Sequence, residues 1–159
     1  MSLHVGDKAP DFKLKSHLLE DVSLSDFKGK KNVVLLFFPF VNTGTCEKEL
    51  CSTRDSMNQY EESNAQVLAI SVDSPFSQKL WNDKQKFNFP LLSDFNKEVC
   101  QSYGAFFDVF LPGKFDYKGV AKRSAFVLDK NGVIKYAEVL ETPGEEPNYN
   151  AIKDALKKC

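Results

Sequence analysis

The sequence predicts an α/β fold, a central mixed sheet flanked by helices and entered through an N-terminal β-hairpin. Three observations carry this. Residues 32–38 (NVVLLFF) and 66–72 (QVLAISV) are apolar runs without alternation, the pattern of strands covered on both faces. A segment of helical spacing lies between them, which makes a strand–helix–strand unit of the parallel kind. Near the end, Asn131-Gly132 separates two more apolar runs ahead of an amphipathic helix.

Each element follows from local pattern. The alternating stretches PDFKLK and DVSLSDF within residues 10–27 read as a hairpin. Pro39 cannot continue a central strand and closes the first buried one. From Thr45 to about Glu62, Cys46, Leu50, Thr53, Met57 and Tyr60 recur at steps of three and four, one helical stripe. Glu47 and Glu49 lie in its first turn, where the dipole favours acids, and Ser63-Asn64 end it. Asp73, Ser74 and Pro75 open a second helix carrying Phe76, Leu80 and Trp81. FPLLSD at 89–94 is a third strand, 96–103 a brief helix, and 104–121 a long loop rich in Phe, Pro and Gly. SAFVLD at 124–129 and VIKYAEVL at 133–140 form a hairpin. Asn148 then caps a last helix with Ile152, Ala155, Leu156 and Cys159 on one face. A strand–helix unit first and a hairpin plus helix last fit a thioredoxin-like sandwich.

The 159 residues, 42% hydrophobic and 27% charged, read as one domain spanning 1–159. The longest apolar stretch, Val33–Val41, is too short to cross a membrane and is interrupted by Pro39. The opening MSLHVGDKAPDF has no apolar core of a signal peptide, so a cytoplasmic location is expected. Net charge is −1, and the one dense basic cluster, Lys28, Lys30 and Lys31, reads as a solvated turn rather than a nucleic-acid face. Four cysteines, Cys46, Cys51, Cys100 and Cys159, are not a disulfide framework in that compartment. They do not form a metal site either, since Cys46 and Cys51 have no second pair and His4 and His17 are isolated.

The chemistry concentrates in residues 37–55, FFPFVNTGTCEKELCSTRD. Cys46 falls in the first turn of a helix directly after a buried strand. Free backbone N–H groups and the dipole favour a thiolate there, which predicts a lowered pKa and a nucleophile. A small buried core residue is the alternative. There is no C-x-x-C, so a dithiol oxidoreductase is excluded, and no phosphate loop, dinucleotide fingerprint or HExxH motif.

Pro39-x-x-x-Thr43-x-x-Cys46 resembles the peroxiredoxin active-site signature. The likeness runs along nearly the whole chain: VGDKAPDF, FFP, Glu49, Arg54-Asp55, AISVDS, FPLLSD, and KRSAFVLDKNG with Arg123. It is nearest to the bacterioferritin-comigratory (peroxiredoxin Q) type or the one-cysteine alkyl hydroperoxide reductase E type. Gly44-Thr45 stand where many members carry Pro-Gly or Pro-x, a change expected to alter the loop more than the chemistry. The resemblance implies a thiol peroxidase acting on hydrogen peroxide and organic hydroperoxides through a Cys46 sulfenic acid, without metal, haem or flavin. Arg123 would hold the thiolate and the developing charge. The Thr43 hydroxyl and the N–H groups of Thr45 and Cys46 would hold the peroxide oxygens, Pro39 would exclude water, and Glu49 would orient Arg123.

Cys51 is the resolving candidate at the spacing of the peroxiredoxin Q type. On an intact helix the two Cα atoms are roughly 8.7 Å apart, beyond the ~7 Å a disulfide tolerates, so the helix start must unwind. External thiol, Cys100 and Cys159 are the other resolvers. A thioredoxin-like or small-thiol reductant and a homodimer are expected. Two rival readings are a glutathione-peroxidase-like enzyme, of which Trp81-Asn82 is a faint echo, and a non-catalytic thioredoxin-like binding module. The Phe-rich 106–115 stretch and Trp81 read as core or dimer contact rather than substrate pocket.

Overall fold

In a computed structural model, described for residues 3–159, seven strands form one mixed sheet. The first two residues of the opening segment lie outside this description. In chain order the elements are β1 (Lys13–Ser16), β2 (Asp21–Ser23), a 3-10 turn (Leu24–Phe27), β3 (Asn32–Phe37), α1 (Gly44–Asp55), α2 (Met57–Glu62) and β4 (Ala65–Ser71). They continue as α3 (Pro75–Gln85), β5 (Leu91–Ser93), α4 (Glu98–Ser102), β6 (Phe106–Phe110), β7 (Tyr117–Ala121), β8 (Ser124–Leu128), β9 (Ile134–Val139) and α5 (Tyr149–Lys157). The sheet order is β2-β1-β5-β4-β3-β8-β9, with β3, β4 and β5 parallel and β8 and β9 antiparallel beside them.

The unalternating strands are explained by two cores. Val34, Leu36, Val67, Ala69, Ala125 and Val127 face α1, α2, α3 and α5, packing on Leu50, Met57, Tyr60, Trp81, Ile152 and Leu156. Val33, Leu35, Phe37, Leu68, Ile70 and Phe126 face the other way, onto Phe12, Leu24, Val99, Cys100 and Tyr103. Successive residues point to opposite faces, so both must be apolar. β3 ends at Phe37, one residue earlier than expected; the Phe38 N–H still donates to the Ile70 carbonyl, and Pro39 then stops the ladder.

Three elements differ from expectation. The helix expected over 45–62 is two helices, broken at Ser56, whose φ of −108° and ψ of 12° leave the helical region. The stripe hides this break because Thr53, Met57 and Tyr60 are all buried on either side of it. The 104–121 segment is not a loop but the β6–β7 hairpin, paired Phe106 to Ala121 and Phe110 to Tyr117. The Lys130-Asn131-Gly132 turn between β8 and β9 is as expected: Asp129 N–H donates to the Val133 carbonyl and Gly132 takes φ +79°. Cys159 lies beyond α5 and is exposed, off the buried face made by Ile152 and Leu156.

Candidate active site

β3 delivers the chain to Pro39, which is buried, and the next residues turn into α1 with Thr43 as its N-cap. The Glu47 N–H closes the first helical bond to the Thr43 carbonyl at 2.8 Å. The N–H groups of Gly44, Thr45 and Cys46 therefore precede any intrahelical partner and remain as donors at the positive end of the helix. A Cβ built on Gly44 would meet nothing within 4 Å. Gly44 thus leaves open space beside the helix start.

Arg123 stands between β7 and β8, beside the end of β3, because Ser124 is the register partner of Phe37. It is 1% exposed, and its guanidinium is divided among three partners. Nη1 donates to Glu49 Oε1 at 2.7 Å, and Nη2 donates both to Cys46 Sγ at 3.2 Å and to the Pro143 carbonyl at 2.9 Å. Glu49 and Cys46 are three residues apart on α1, so one planar fork reaches both. The Thr43 hydroxyl donates to the Phe40 carbonyl at 3.0 Å and sits at the rim.

These residues open onto a cleft of about 570 Å³. Pro39, Thr45, Cys46 and Arg123 form its base, and Thr43 its rim. Its outer wall is Phe40 together with Phe110, Phe115 and Tyr117 from the β6–β7 hairpin, with Lys114 at the edge. The aromatic wall is continuous: Phe40 meets Phe110 at 5.4 Å and Tyr117 at 5.9 Å, and Phe115 stacks on Tyr117 at 5.4 Å. The Phe-rich segment therefore lines the pocket after all. Trp81 does lie in the core, between Phe38 and Phe87, and does not reach the cleft.

Charge at the site differs from the sequence expectation in one respect. Burial, the largest influence, pushes the Cys46 thiol up, while Arg123, the Thr43 hydroxyl and the main chain at Phe40 pull it down and Glu49 pushes it up slightly. In this closed geometry the net direction is upward, because removing the thiolate from water outweighs the helix start and the arginine. Burial also raises the Glu49 carboxyl to about 7 against the pull of Arg123. Its Oε2 is buried without a partner, as is Arg123 Nε.

A prediction follows for Glu49→Gln, which keeps an acceptor for Arg123 but removes the charge that opposes a thiolate. Well below pH 7, where Glu49 is mostly protonated, the variant and wild type should alkylate at Cys46 with equal rates. Above pH 7 the variant should show the lower thiol pKa. Coincident pH profiles across the whole range would remove the electrostatic link between Glu49 and Cys46.

Two contributors lay outside sequence reasoning. The Pro143 carbonyl that anchors Arg123 is a main-chain group in a turn and has no side-chain signature. The hairpin wall was hidden in a segment read as loop. Cys51 lies on the same unbroken helix as Cys46, half-buried, its thiol 3.5 Å from Gln85 Oε1. Cys100 is fully buried and Cys159 sits at the far end of the chain. Among the described residues no cluster of His, Cys, Asp and Glu could hold a metal ion, and no helix is long and apolar enough to cross a membrane.

A thiol at a helix start, touched by a buried arginine at the edge of a thioredoxin-like sheet, defines a cysteine-based oxidoreductase. Residues 5–137 match the AhpC/TSA family. The chain is 40% identical over 156 residues to alkyl hydroperoxide reductase E of Mycobacterium tuberculosis, covering 97% of this chain and 96% of that protein. It is 42% identical over 134 residues to a putative peroxiredoxin bcp of Coxiella burnetii, covering 84% and 87%. Peroxidoxin BcpB from Mycobacterium tuberculosis matches in structure with a TM-score of 0.84 at 27% identity, covering 97% and 96%. A peroxiredoxin-like protein from Aquifex aeolicus gives 0.87 at 26% identity, covering 99% and 88%. The chain belongs to the AhpC/TSA family of peroxiredoxins, the thiol-dependent hydroperoxide reductases.

Proposed function

We propose that Cys46 is the peroxidatic thiol and that Arg123, Thr43 and the first-turn N–H groups form the peroxide site. The contact of Arg123 Nη2 with Cys46 Sγ at 3.2 Å, at the base of an open cleft, carries this reading. The thiolate attacks one peroxide oxygen and the O–O bond breaks. The other oxygen leaves as water or an alcohol after taking a proton, and Cys46 becomes a sulfenic acid. Arg123 and the free amides meet the charge that spreads along S–O–O. Pro39, which has no donor, closes the site to water. The aromatic wall accommodates organic hydroperoxides as well as hydrogen peroxide. Trp81 in the core argues against the glutathione-peroxidase-like reading, and the convergence of Pro39, Thr43, Cys46 and Arg123 argues against a non-catalytic module.

The sulfenic acid is resolved in this proposal by Cys51, giving a disulfide and water, and a thioredoxin-like or small-thiol reductant restores both thiols. Both acids near the helix start are tied down, Glu47 in the first turn of α1 and Glu49 in the second. Glu49 is bound to Arg123, and Glu47 Oε1 accepts from Gln85 Nε2 at 2.7 Å. Unwinding α1 must break both contacts. Mass spectrometry after one equivalent of peroxide tests this: a Cys46–Cys51 disulfide is expected, with amide exchange increased over residues 44–52. Cys46 found as sulfenic or sulfinic acid while Cys51 still alkylates fully would assign resolution to an external thiol.

A homodimer is part of the same reading. Phe76, Leu80, Phe95, Phe115 and Tyr117 are all about half exposed or more, an unusual apolar surface for a lone chain. Sedimentation at tens of micromolar should give twice the chain mass; a compact monomer would overturn it.

A further inference from the structure

A second cavity lies at the opposite pole of the sheet. Val33 and Leu128 are register partners at that end of β3 and β8, four residues from Phe37 and Ser124 at the catalytic end. That is roughly 13 Å of strand. The cavity has a volume of about 230 Å³ and an apolar floor of Leu24, Phe27, Val33 and Leu128. Its walls are tied to one another. Ala9 N–H donates to the Gly132 carbonyl at 2.9 Å, Gly29 N–H to the Lys130 carbonyl at 2.7 Å, and Leu24 N–H to the Phe12 carbonyl at 3.2 Å. The site is therefore formed before any ligand arrives.

Its rim is strongly cationic. Lys8, Lys28, Lys31 and Lys130 border it, and none of them makes an ion pair among the described residues. The two carboxylates at the same place are engaged by main-chain N–H groups, and Asp129 Oδ2 also pairs with Lys135 at 3.7 Å. Asp11 Oδ1 accepts from the N–H groups of Phe12 and Ser25, and Asp129 Oδ1 from those of Asn131 and Val133. Lys28 and Lys31, which read as a solvated turn in the sequence, thus stand over an apolar slot. The slot falls below the ~300–1,000 Å³ of sites for drug-sized ligands, so its occupant has the size of a single ring. A nucleic-acid strand does not fit.

We propose that this cavity binds a small amphipathic anion of the aryl-carboxylate class. The ring lies on Leu24, Phe27, Val33 and Leu128, and the carboxylate lies among the lysines. The site is independent of the thiol chemistry, and its test does not use peroxide turnover as the readout of binding.

Benzoate titrated into the ¹⁵N-labelled full chain is the experiment. Saturable amide shifts confined to residues near 8–11, 24–31 and 128–132 are expected, with a Kd on the order of 1 mM, a level that burial of one ring and a charge contact can supply. Benzamide, the neutral isostere, should bind about threefold to fivefold more weakly, and so should benzoate to the Lys28→Gln/Lys31→Gln variant. That variant changes only exposed side chains, so it should fold and keep wild-type peroxidase activity. Shifts that do not saturate by about 10 mM, equal binding of benzamide, or benzoate binding unchanged in the double variant would each overturn the proposal.

Discussion

Replacement of Cys46 by serine is expected to abolish peroxidase turnover, a loss of about 10³-fold or more, as for other enzymes deprived of their nucleophile. The fold should survive. The serine hydroxyl occupies less space than the thiol, can still accept from Arg123 Nη2, and sits at a helix start where serine is well tolerated. The four thiols give an internal control. In the native protein Cys159, exposed, and Cys51, half-buried, should react with an alkylating reagent. Cys100 should not, since it is fully buried and burial pushes its thiol up. Peroxide should remove one reactive thiol or more from wild type and none from Cys46→Ser. Retention of even about a tenth of wild-type turnover with a thiol reductant would sink the assignment of Cys46.

What the sequence made legible, and what it did not, divides along physical lines. Strands such as β3 and β4 were readable because double-sided burial leaves an unbroken apolar run that few other environments demand. The placement of Cys46 was readable because it is set locally, by a strand end followed by a helix start. Glu49 was only half readable. An acid near a helix start is ordinary, and its burial depends on Arg123, 74 residues away along the chain. The β6–β7 hairpin was missed for a different reason. β6 is a run of aromatics broken by Asp108, and β7 passes from exposed Tyr117-Lys118 to buried Gly119-Val120-Ala121, so neither strand alternates cleanly. The turn uses positive φ at Leu111 and Asp116, where a sequence reader looks for Gly or Asn. The missed hairpin supplies most of the aromatic cleft wall, so that wall was less legible than the position of the thiol. The raised Cys46 thiol has the same origin. Helix position is local, but burial is set by the whole fold, and here burial is the larger influence.

Arg123→Ala is expected to slow peroxide attack by about 10²–10³-fold, the usual cost of removing one donor aimed at developing charge. The Cys46 thiol should also titrate at higher pH, because the strongest influence holding it down is gone while burial remains. The wild-type rate should itself rise with pH as the thiolate forms, and the variant's rise should begin later. Removing the guanidinium also leaves Glu49 buried with no ion-pair partner, a situation that costs ~3–5 kcal/mol when the carboxyl is charged. Already in wild type the Glu49 carboxyl is raised to about 7, above its value in the unfolded chain. Its unfavourable contribution is therefore absent at low pH, where both states hold the proton, and grows as pH rises through the unfolded value toward 7. In Arg123→Ala that window extends further upward, so the variant should lose most stability in alkaline buffer. Arg123→Ala/Glu49→Gln should recover the stability but not the rate, which separates a folding defect from a catalytic one. Arg123→Lys keeps the charge but not the planar fork that reaches Glu49, Cys46 and the Pro143 carbonyl together. It should fall between wild type and Arg123→Ala in second-order rate. Equal rates for Arg123→Lys and wild type would show that the fork geometry is irrelevant, and an unchanged thiol pKa in Arg123→Ala would remove the electrostatic role.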